Sequence, residues 1–317
     1  MNKSITQPIF IGGCPRSGTT YLGSLLANFD GIVVTPESKW KWRVWQTHNE
    51  EGCLKSDQLF EFLQRDIHFQ TWACEGLPSA TGPLSSAQYR KFIDSLVIRY
   101  ADAEEWTRGR RRWLDHTPSN LEVGRFLTRL YPDAKFIHIV RDPRAVVASL
   151  LDKEWGPDNL YSACRYWREK VGVANAFFVL NPHKCLLVKY EDLIQNTAET
   201  LIKICCFLDI DYSQVSLQSI SGRYQAPEYA FHQHKHVGDT PKEERIYSWR
   251  KDLSPASIAY LEADLNRLLD AFGYELTKKN PTVGRIERLV LFGAYIRCQI
   301  GSIIKKQKRK KRKKVIR

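Results

Sequence analysis

Short apolar runs alternate with segments of helical periodicity through most of the chain. The runs are rich in β-branched residues, and they predict five strands at 8–13, 32–35, 111–117, 135–140 and 184–190. Between them, apolar residues spaced three and four apart predict helices at 17–29, 57–69, 86–104, 119–130, 143–152, 160–180 and 196–208. Nearly continuous apolar strands that alternate with helices are typical of a parallel sheet covered on both faces. We therefore expect an α/β fold with a parallel sheet of about five strands flanked by helices.

The pattern is lost between residues 211 and 253, where the chain is polar, basic and aromatic with little periodicity. This segment predicts a long loop, and loops of that size inside compact domains are usually functional or disordered. A helix is predicted again at 254–272, because Ser254 is a good cap and Pro255 suits the first helical position.

The C-terminal end differs from the rest of the chain. Residues 285–304 are largely apolar with charges roughly on one side of a helix, and the last thirteen residues contain ten Lys or Arg and no acid. That cluster supplies most of the net charge of +13. We predict a main domain over 1–280 and an extension over 281–317, in which an amphipathic helix and a polybasic tail contact an anionic membrane surface. A disordered solubilising tail and a tail that binds nucleic acid, a partner we do not expect, are the alternatives.

The composition excludes some classes of protein. A chain of 317 residues with 43% apolar residues can bury a large core and is not typical of disordered proteins. Its eight cysteines include no C-x-x-C pair, which predicts reduced thiols rather than a disulfide framework. The N-terminus lacks the apolar stretch of a secretory signal, and nowhere do eighteen apolar residues run together as a membrane-spanning helix requires. We expect a cytoplasmic protein whose tail lies peripherally at the inner membrane face.

The first predicted strand leads into the loop GGCPRSGTT at residues 12–20. A glycine-rich turn that opens a helix offers backbone N–H groups and the positive helix end to an anion. Gly13 and Gly18 keep the spacing of a nucleotide triphosphatase P-loop, but Thr19 stands where that loop has its lysine. Arg16 supplies the cation instead, and its planar fork suits phosphate or sulfate oxygens. The loop therefore predicts a site for a phosphate-like group rather than for a magnesium–triphosphate complex.

Four segments in order resemble the sulfotransferases that use 3′-phosphoadenosine 5′-phosphosulfate (PAPS). CPRSGTT resembles the 5′-phosphosulfate loop of the bacterial and tyrosylprotein branches, and KFIHIVRDPRAVVASL at 135–150 resembles the 3′-phosphate motif. CLLVKYEDL at 185–193 and YSWRKDL at 247–253 resemble two later motifs of the family. The resemblance covers roughly residues 8–275. It implies a P-loop-like α/β fold with PAPS as co-substrate and no metal.

The resemblance also implies which residues bind PAPS. In the family the strand-end arginine and the serine eight residues later hold the 3′-phosphate, and these residues are Arg141 and Ser149 here. Tyr21 lies where cytosolic members have a tryptophan that stacks on adenine. The full set implied for PAPS is Arg16, Ser17, Gly18, Thr19, Thr20, Tyr21, Arg141, Ser149, Tyr190, Trp249 and Arg250.

Two residues are candidates for the general base that sulfuryl transfer to a hydroxyl requires. Glu37 follows the second strand and matches the position of the catalytic glutamate in the tyrosylprotein branch; its alternative is a surface ion pair with Lys39 or Lys41. His116 lies at the strand end where cytosolic members place their catalytic histidine, although many bacterial members have Lys-Thr-Pro there. A structural role or a contact to the phosphosulfate is the alternative for His116.

The sequence thus predicts a transferase that moves the sulfuryl group of PAPS to a hydroxyl of a carbohydrate, lipid or phenol. The expected chemistry is an in-line displacement in which the protein positions the acceptor, removes its proton and neutralises charge on the leaving oxygen. Glu37, His116 and Arg16 are the predicted catalytic residues. A P-loop kinase or nucleotide triphosphatase and a non-catalytic nucleotide- and membrane-binding protein are the alternatives.

Overall fold

The computed structural model describes residues 5–50, 52–72, 76–101, 112–212, 243–277 and Gly293. The chain divides into two compact units. The sheet unit comprises Met1–Val140 and Val171–Pro241, and the helical unit comprises Arg141–Lys170 and Lys242–Arg317. The predicted boundary at residue 280 and the predicted amphipathic helix at 285–304 lie outside the described residues, Gly293 excepted, and stay predictions.

Eight strands lie in the described residues, all of them in the sheet unit. They are β1 (Ile9–Gly12), β2 (Ile32–Thr35), β3 (Asn49–Glu50), β4 (Cys53–Lys55), β5 (Pro83–Ser85), β6 (Arg112–Asp115), β7 (Lys135–Val140) and β8 (Cys185–Lys189). Five of them form a parallel sheet in the order β2-β6-β1-β7-β8, which confirms the five predicted strands and the α/β class.

The order of the parallel sheet determines where a ligand can bind. β1 is central and pairs with β6 on one side and with β7 on the other. Strands that precede β7 in the chain fill one side of β1, and β7 and β8 fill the other. In open α/β sheets, ligands bind outside the carboxyl ends of the strands, at the point where the order of the strands reverses. The loop after β1 lies at this position.

A second sheet was not predicted. It is antiparallel, has the order β3-β4-β5 and consists of strands of two or three residues. Strands this short contain too few residues to display an alternation of apolar and polar positions.

Thirteen α-helices and a short 3₁₀ helix, Pro118–Asn120, lie in the described residues. The α-helices are α1 (Thr19–Leu26), α2 (Trp40–His48), α3 (Ser56–Arg65), α4 (Ile67–Gln70), α5 (Ser86–Tyr100), α6 (Gly124–Leu130), α7 (Pro143–Leu151), α8 (Leu160–Leu180), α9 (Tyr190–Gln195), α10 (Thr197–Leu208), α11 (Glu244–Tyr247), α12 (Trp249–Asp252) and α13 (Pro255–Ala271). None of them combines the length and the apolarity needed to cross a bilayer.

The predicted helices are confirmed with shifted ends, and two predictions need correction. The helix predicted at 57–69 is broken at Asp66, whose carboxylate accepts from the backbone N–H groups of His68 and Phe69 at 3.0 Å and so caps a new helix. The loop predicted over 211–253 is wrong at its end, where α11 and α12 form; residues 213–242 lie outside the described part. The predicted helix at 254–272 is α13, capped by Ser254 as expected.

Aromatic side chains dominate the core of the sheet unit. Phe10 of β1 packs against Trp113 and Phe136 on the two neighbouring strands, with ring centroids 5.4 and 5.5 Å apart. Trp40 of α2 packs edge-on against Trp72 at 5.4 Å. These rings are fully buried, and each contributes a large apolar area to the stability of the sheet.

Candidate functional site

The loop after β1 turns sharply before α1 begins at Thr19. Arg16 and Gly18 both have left-handed backbone angles, with φ of 75° and 95°. Two hydrogen bonds hold the turn, from Gly13 N–H to the carbonyl of Pro118 at 2.9 Å and from Ser17 N–H to the carbonyl of Cys14 at 3.1 Å. A non-glycine residue in the left-handed region is strained, and such strain often marks a functional loop.

The two glycines of the loop are required by close contacts. A Cβ at Gly13 would lie 2.2 Å from the carbonyl oxygen of Ile139 in β7. A Cβ at Gly18 would lie 2.5 Å from a ring carbon of Tyr190, the first residue of α9. The loop therefore packs tightly between β7 and Tyr190, and the role of Tyr190 toward PAPS stays a prediction.

The hydroxyl groups of the loop are suited to an oxyanion. Ser17, Thr19 and Thr20 are buried, and the Ser17 hydroxyl has no hydrogen-bond partner among the described residues. A buried hydroxyl without a partner is unfavourable, and a sulfate or phosphate oxygen would satisfy it. Burial, and secondarily Tyr190, raise the pKa of the half-buried Tyr21, which leaves a neutral phenol that can donate a hydrogen bond. The loop thus fits the phosphosulfate group.

Glu37 lies just beyond β2. Its side chain is 19% exposed, and Lys39 approaches its carboxylate at 3.3 Å. The ion pair with Lys39, which the sequence offered as an alternative, is therefore present. Lys41 is engaged elsewhere, because it is fully buried and pairs with Asp115. The partial exposure of Glu37 leaves its carboxylate accessible to a substrate.

His116 follows Asp115 at the end of β6, the strand that pairs with β2. It is 2% exposed and packs against α1, where a Cβ at Gly23 would lie 3.2 Å from the imidazole. Burial lowers the pKa of His116, while the negative charges of Glu37 and Asp115 oppose that shift. The imidazole is consequently neutral near pH 7 and can accept a proton. The segments that carry Glu37 and His116 are joined by a hydrogen bond from the Ser38 N–H to the Thr117 hydroxyl at 2.8 Å, so the two candidate bases lie on neighbouring segments.

The other predicted residues lie in the helical unit. Arg141 follows directly after β7, and its guanidinium donates to the carbonyl of Arg245 at 2.8 Å. Ser149 lies half-buried on α7, two turns after Pro143 opens that helix. The predicted succession of strand, turn and helix is present, and the roles of Arg141 and Ser149 toward PAPS stay predictions.

Trp249 and Arg250 also lie in the helical unit. Trp249 is 1% exposed, and the guanidinium of Arg144 lies 4.1 Å from the centre of its ring. Arg250 is exposed and lies 5.3 Å from the rings of Tyr247 and Trp249. Trp249 is thus packed as a core residue of this unit, and its contact with PAPS stays a prediction.

Sequence reasoning overlooked four polar residues buried beside the site. Lys41, Asp115, Ser38 and Asn120 are each 0% exposed, and all four are joined by hydrogen bonds. One feature of the sequence could have indicated this buried cluster. Lys41 lies inside the tryptophan-rich segment KWKWRVW, and a lysine among large apolar residues indicates a buried cation that needs partners.

The chain matches the family model described as Sulfotransferase family over residues 8–214. It belongs to the sulfotransferase family. This sulfotransferase is 24% identical to a putative protein-tyrosine sulfotransferase of Caenorhabditis briggsae, over 89% of this chain and 94% of that protein. It is 26% identical to a protein-tyrosine sulfotransferase of Drosophila melanogaster, over 66% of this chain but 39% of that protein. The predicted resemblance, enzyme class and sulfuryl transfer are confirmed, and the kinase and non-catalytic alternatives are not favoured.

Solved structures have the same fold as this sulfotransferase. The sulfotransferase domain of the Synechococcus PCC 7002 olefin synthase superposes with a TM-score of 0.57 at 23% identity, over 87% of this chain and 97% of that domain. The sulfotransferase domain from the curacin biosynthetic pathway gives 0.56 at 20% identity, over 86% of this chain and 99% of that domain. Likeness at this level of identity establishes the architecture and not the acceptor.

Proposed function

We propose that this sulfotransferase moves the sulfuryl group of PAPS to a hydroxyl acceptor. The observation that carries the proposal is that the sheet unit contains both a loop suited to an anion and two side chains suited to removing a proton. On one side lies a loop with a buried, unsatisfied Ser17 hydroxyl and the cation of Arg16, suited to a phosphosulfate. On the other lie a carboxylate, Glu37, and a neutral imidazole, His116, suited to removing a proton. A transferase needs both functions within one site.

The proposed reaction is a single displacement. The base removes the proton of the acceptor hydroxyl, and the oxygen attacks the sulfur while the bond from sulfur to the bridging oxygen breaks. The electron pair of that bond leaves with 3′-phosphoadenosine 5′-phosphate. In this proposal Arg16 and Thr19 of the loop donate hydrogen bonds to the bridging oxygen and to the sulfuryl oxygens, on which negative charge develops.

We propose Glu37 as the base, because its carboxylate is accessible whereas His116 is almost fully buried. His116 would then contact the sulfuryl group or its leaving oxygen. Glu37→Gln should lower kcat about 10²- to 10⁴-fold, the usual contribution of a general base, while nucleotide binding is retained. Steady-state kinetics on Glu37→Gln and His116→Ala decide the assignment. Wild-type turnover by Glu37→Gln would transfer the role to His116.

PAPS as donor is tested by calorimetry. We expect 3′-phosphoadenosine 5′-phosphate to bind far more tightly than ATP, with or without magnesium. Arg141→Ala and Ser149→Ala should each weaken binding of this product but leave binding of adenosine 5′-phosphosulfate, which lacks the 3′-phosphate, nearly unchanged. Equal affinity for ATP and the 3′-phosphorylated nucleotide would contradict the donor assignment. No group of three or more His, Cys, Asp or Glu side chains suited to a metal occurs in the described ranges, and we propose no metal.

The acceptor is proposed to be a carbohydrate, lipid or phenol hydroxyl. Relatives named protein-tyrosine sulfotransferases support a phenol. A relative in Mycobacterium tuberculosis named omega-hydroxy-beta-dihydromenaquinone-9 sulfotransferase supports a lipid alcohol. Radiolabelled PAPS offered with tyrosine-containing peptides, long-chain alcohols and oligosaccharides would separate the classes by the product that carries label.

We further propose that residues 281–317 attach the enzyme peripherally to an anionic membrane face on the cytoplasmic side. The support is the density of positive charge after a largely apolar segment. The full-length protein should sediment with vesicles that contain phosphatidylserine and not with phosphatidylcholine vesicles. Exchange of the ten basic residues of the last thirteen for glutamine should abolish sedimentation. Equal sedimentation with both kinds of vesicle would contradict the proposal.

A further inference from the structure

One buried ammonium group joins three residues at the edge of the parallel sheet. Lys41 lies on α2, and its side chain is 0% exposed. Its Nζ donates to Asp115 Oδ2 at 2.6 Å, to Ser38 Oγ at 2.8 Å and to Asn120 Oδ1 at 2.8 Å. A lysine ammonium has three N–H donors, and these three short contacts use all of them.

The acceptors extend the network to three strands. Asp115 is the last residue of β6, and its carboxylate also accepts from the backbone N–H of Thr117 at 2.8 Å. Ser38 follows β2 and donates its hydroxyl to the same carboxylate. The Asn120 amide donates to the carbonyl of Ile11 in β1 at 3.0 Å. Strands β1, β2 and β6 are thus tied together where the loop and both candidate bases begin.

The network adjoins both candidate bases along the chain. Glu37 precedes Ser38, and His116 follows Asp115. The Ser38 N–H donates to the Thr117 hydroxyl at 2.8 Å, which links the two segments that carry the bases. The next residue, Pro118, accepts the hydrogen bond from Gly13 that holds the loop at 2.9 Å. A displacement within the network would therefore move the loop and the bases relative to one another.

Stability alone is a weak explanation for this arrangement. A buried ion pair often contributes no more than well-packed apolar residues of similar volume, because both charges lose their hydration. A better explanation for a buried ion pair is that it holds its neighbours in one specific geometry. Here the partners come from three strand ends and fix the directions in which neighbouring residues leave the sheet.

We infer that Lys41 is a positioning residue, which acts through Ser38, Asp115 and Asn120. Through these partners it holds Glu37 and His116 in fixed positions relative to the loop after β1. The inference rests on the proposed function only for the identity of the reaction. The side chain of Lys41 is fully buried, so Lys41 acts through its neighbours.

The charge state of Asp115 agrees with this role. Burial alone would raise the pKa of Asp115, but Lys41 and the hydroxyls of Ser38 and Thr117 outweigh burial and hold the pKa at about 2. The low pKa favours an ionised carboxylate near neutral pH, which suits its hydrogen bonds from Lys41, Ser38 and Thr117.

The test removes both charges together, so that neither is left buried alone. In Lys41→Met/Asp115→Asn the protein should fold, and its affinity for 3′-phosphoadenosine 5′-phosphate should stay within about threefold of wild type. We expect kcat for sulfuryl transfer to fall about 100-fold, because misplacement of catalytic groups by about 1 Å has effects of that size. Leu127→Ala, which truncates a buried residue of α6, is the matched control and should lower the melting temperature while kcat stays near the wild-type value.

A second measurement does not depend on turnover. Hydrogen exchange followed by NMR should show loss of protection at the amides of Ser38 and Gly13 in the double variant, with amides of β7 still protected. Leu127→Ala should keep protection at Ser38 and Gly13. A folded double variant with wild-type kcat and wild-type protection at these amides would overturn the inference. If the wild-type enzyme does not use PAPS, the proposed function fails, and the exchange measurement alone decides the positioning role.

Discussion

Both units of the molecule contain a buried cation that pairs with buried acidic side chains, Asp115 in the sheet unit and Asp142 and Glu262 in the helical unit, but the two clusters are built differently. In the sheet unit, the ammonium of Lys41 is surrounded by single acceptors from separate elements. In the helical unit, the guanidinium of Arg144 makes paired contacts with Asp142, with Nε to Oδ1 at 3.0 Å and a terminal nitrogen to Oδ2 at 2.7 Å. The lysine cluster joins strand ends, whereas the arginine cluster joins the turn after Arg141 to the helices around it.

The arginine cluster also includes Glu262 of α13. The third nitrogen of the Arg144 guanidinium donates to Glu262 at 2.6 Å, and Glu262 accepts in turn from the backbone N–H and the hydroxyl of Thr277 at 3.0 and 2.8 Å. The flat face of the guanidinium lies on Trp249. Asp142 also caps α7 by accepting from the Arg144 N–H at 2.8 Å.

The shapes of the two cations match the two arrangements. A compact ammonium can point three N–H groups at acceptors in three directions, which suits the meeting of three strands. A planar guanidinium presents two parallel donors and an aromatic-stacking face, which suits one carboxylate and one tryptophan. Four predictions test this comparison.

The largest effect is expected from removing one cation alone. Arg144→Met leaves two buried carboxylates, Asp142 and Glu262, without their counter-charge, and should lower the free energy of unfolding by about 3–5 kcal/mol. Lys41→Met should have a similar effect through Asp115. Guanidinium denaturation followed by tryptophan fluorescence measures both. Adding Glu262→Gln to Arg144→Met should recover part of the loss, and a double variant less stable than the single one would contradict the account.

A buried histidine shows what happens where burial, rather than a neighbouring acid, sets the pKa. Burial lowers the pKa of His138 in β7 to about 4. Its unfolded pKa is higher, so the unfolded state binds more protons between those values and stability falls as the pH drops from about 6.5 to 4. The loss from this residue should reach about 3 kcal/mol.

The control for this pH dependence is His138→Leu. Asp94 acts with the opposite sign, because burial raises the pKa of its carboxyl to about 6 and its contribution is lost as the pH rises through that range. Asp94 is present in both proteins, so its contribution cancels in the difference between them. A difference in unfolding free energy that is constant with pH would contradict the assignment to His138.

Exchanging the two cations should have intermediate effects. Arg144→Lys keeps the charge but loses the paired hydrogen bonds and the stacking on Trp249, and we expect a loss of about 2 kcal/mol. Lys41→Arg inserts a larger group into a fully buried space and should cost about 1–3 kcal/mol through strain. Thermal denaturation of both variants checks the comparison. If either exchange leaves the melting temperature unchanged, the shape of that cation does not explain why it occupies its position.

The sequence predicted the parallel sheet because most of its strands are short, largely apolar runs, although β6 begins with Arg112 and ends with Asp115 and β7 contains His138. It predicted the loop from Gly13 to Thr20 and the turn after Arg141 because the phosphate-binding motifs that these segments resemble have specific residues at fixed spacing. Glu37 and His116 were proposed because their places after strands match those of catalytic residues in the family that the chain resembles. These features are local, and a single segment of sequence is enough to identify them.

Features that depend on distant residues could not be predicted. The pair of Lys41 and Asp115 is separated by 74 positions, and no local pattern relates the two. The helix α2 was missed because its tryptophans and cations do not form a clear apolar face. The burial of Trp249 depends on Arg144, which precedes it by more than a hundred residues. Such contacts arise from tertiary packing, which overrides local propensity.

The smallest effect is expected where similar polar contacts lie at the surface. Ser85 caps α5, with its hydroxyl accepting from the Gln88 N–H at 3.4 Å, and Ser254 caps α13, with its hydroxyl accepting from the Ser257 N–H at 3.2 Å. Ser85→Ala and Ser254→Ala should each cost about 1 kcal/mol, because water can satisfy the exposed helix ends in part. Denaturation under the conditions used for Arg144→Met gives the measurement, with Ser→Gly at each cap as the control that costs only a few tenths of a kcal/mol. A loss as large as that of Arg144→Met would mean that burial is not what makes the ionic clusters strong, and the distinction between buried and exposed polar contacts in this enzyme would fail.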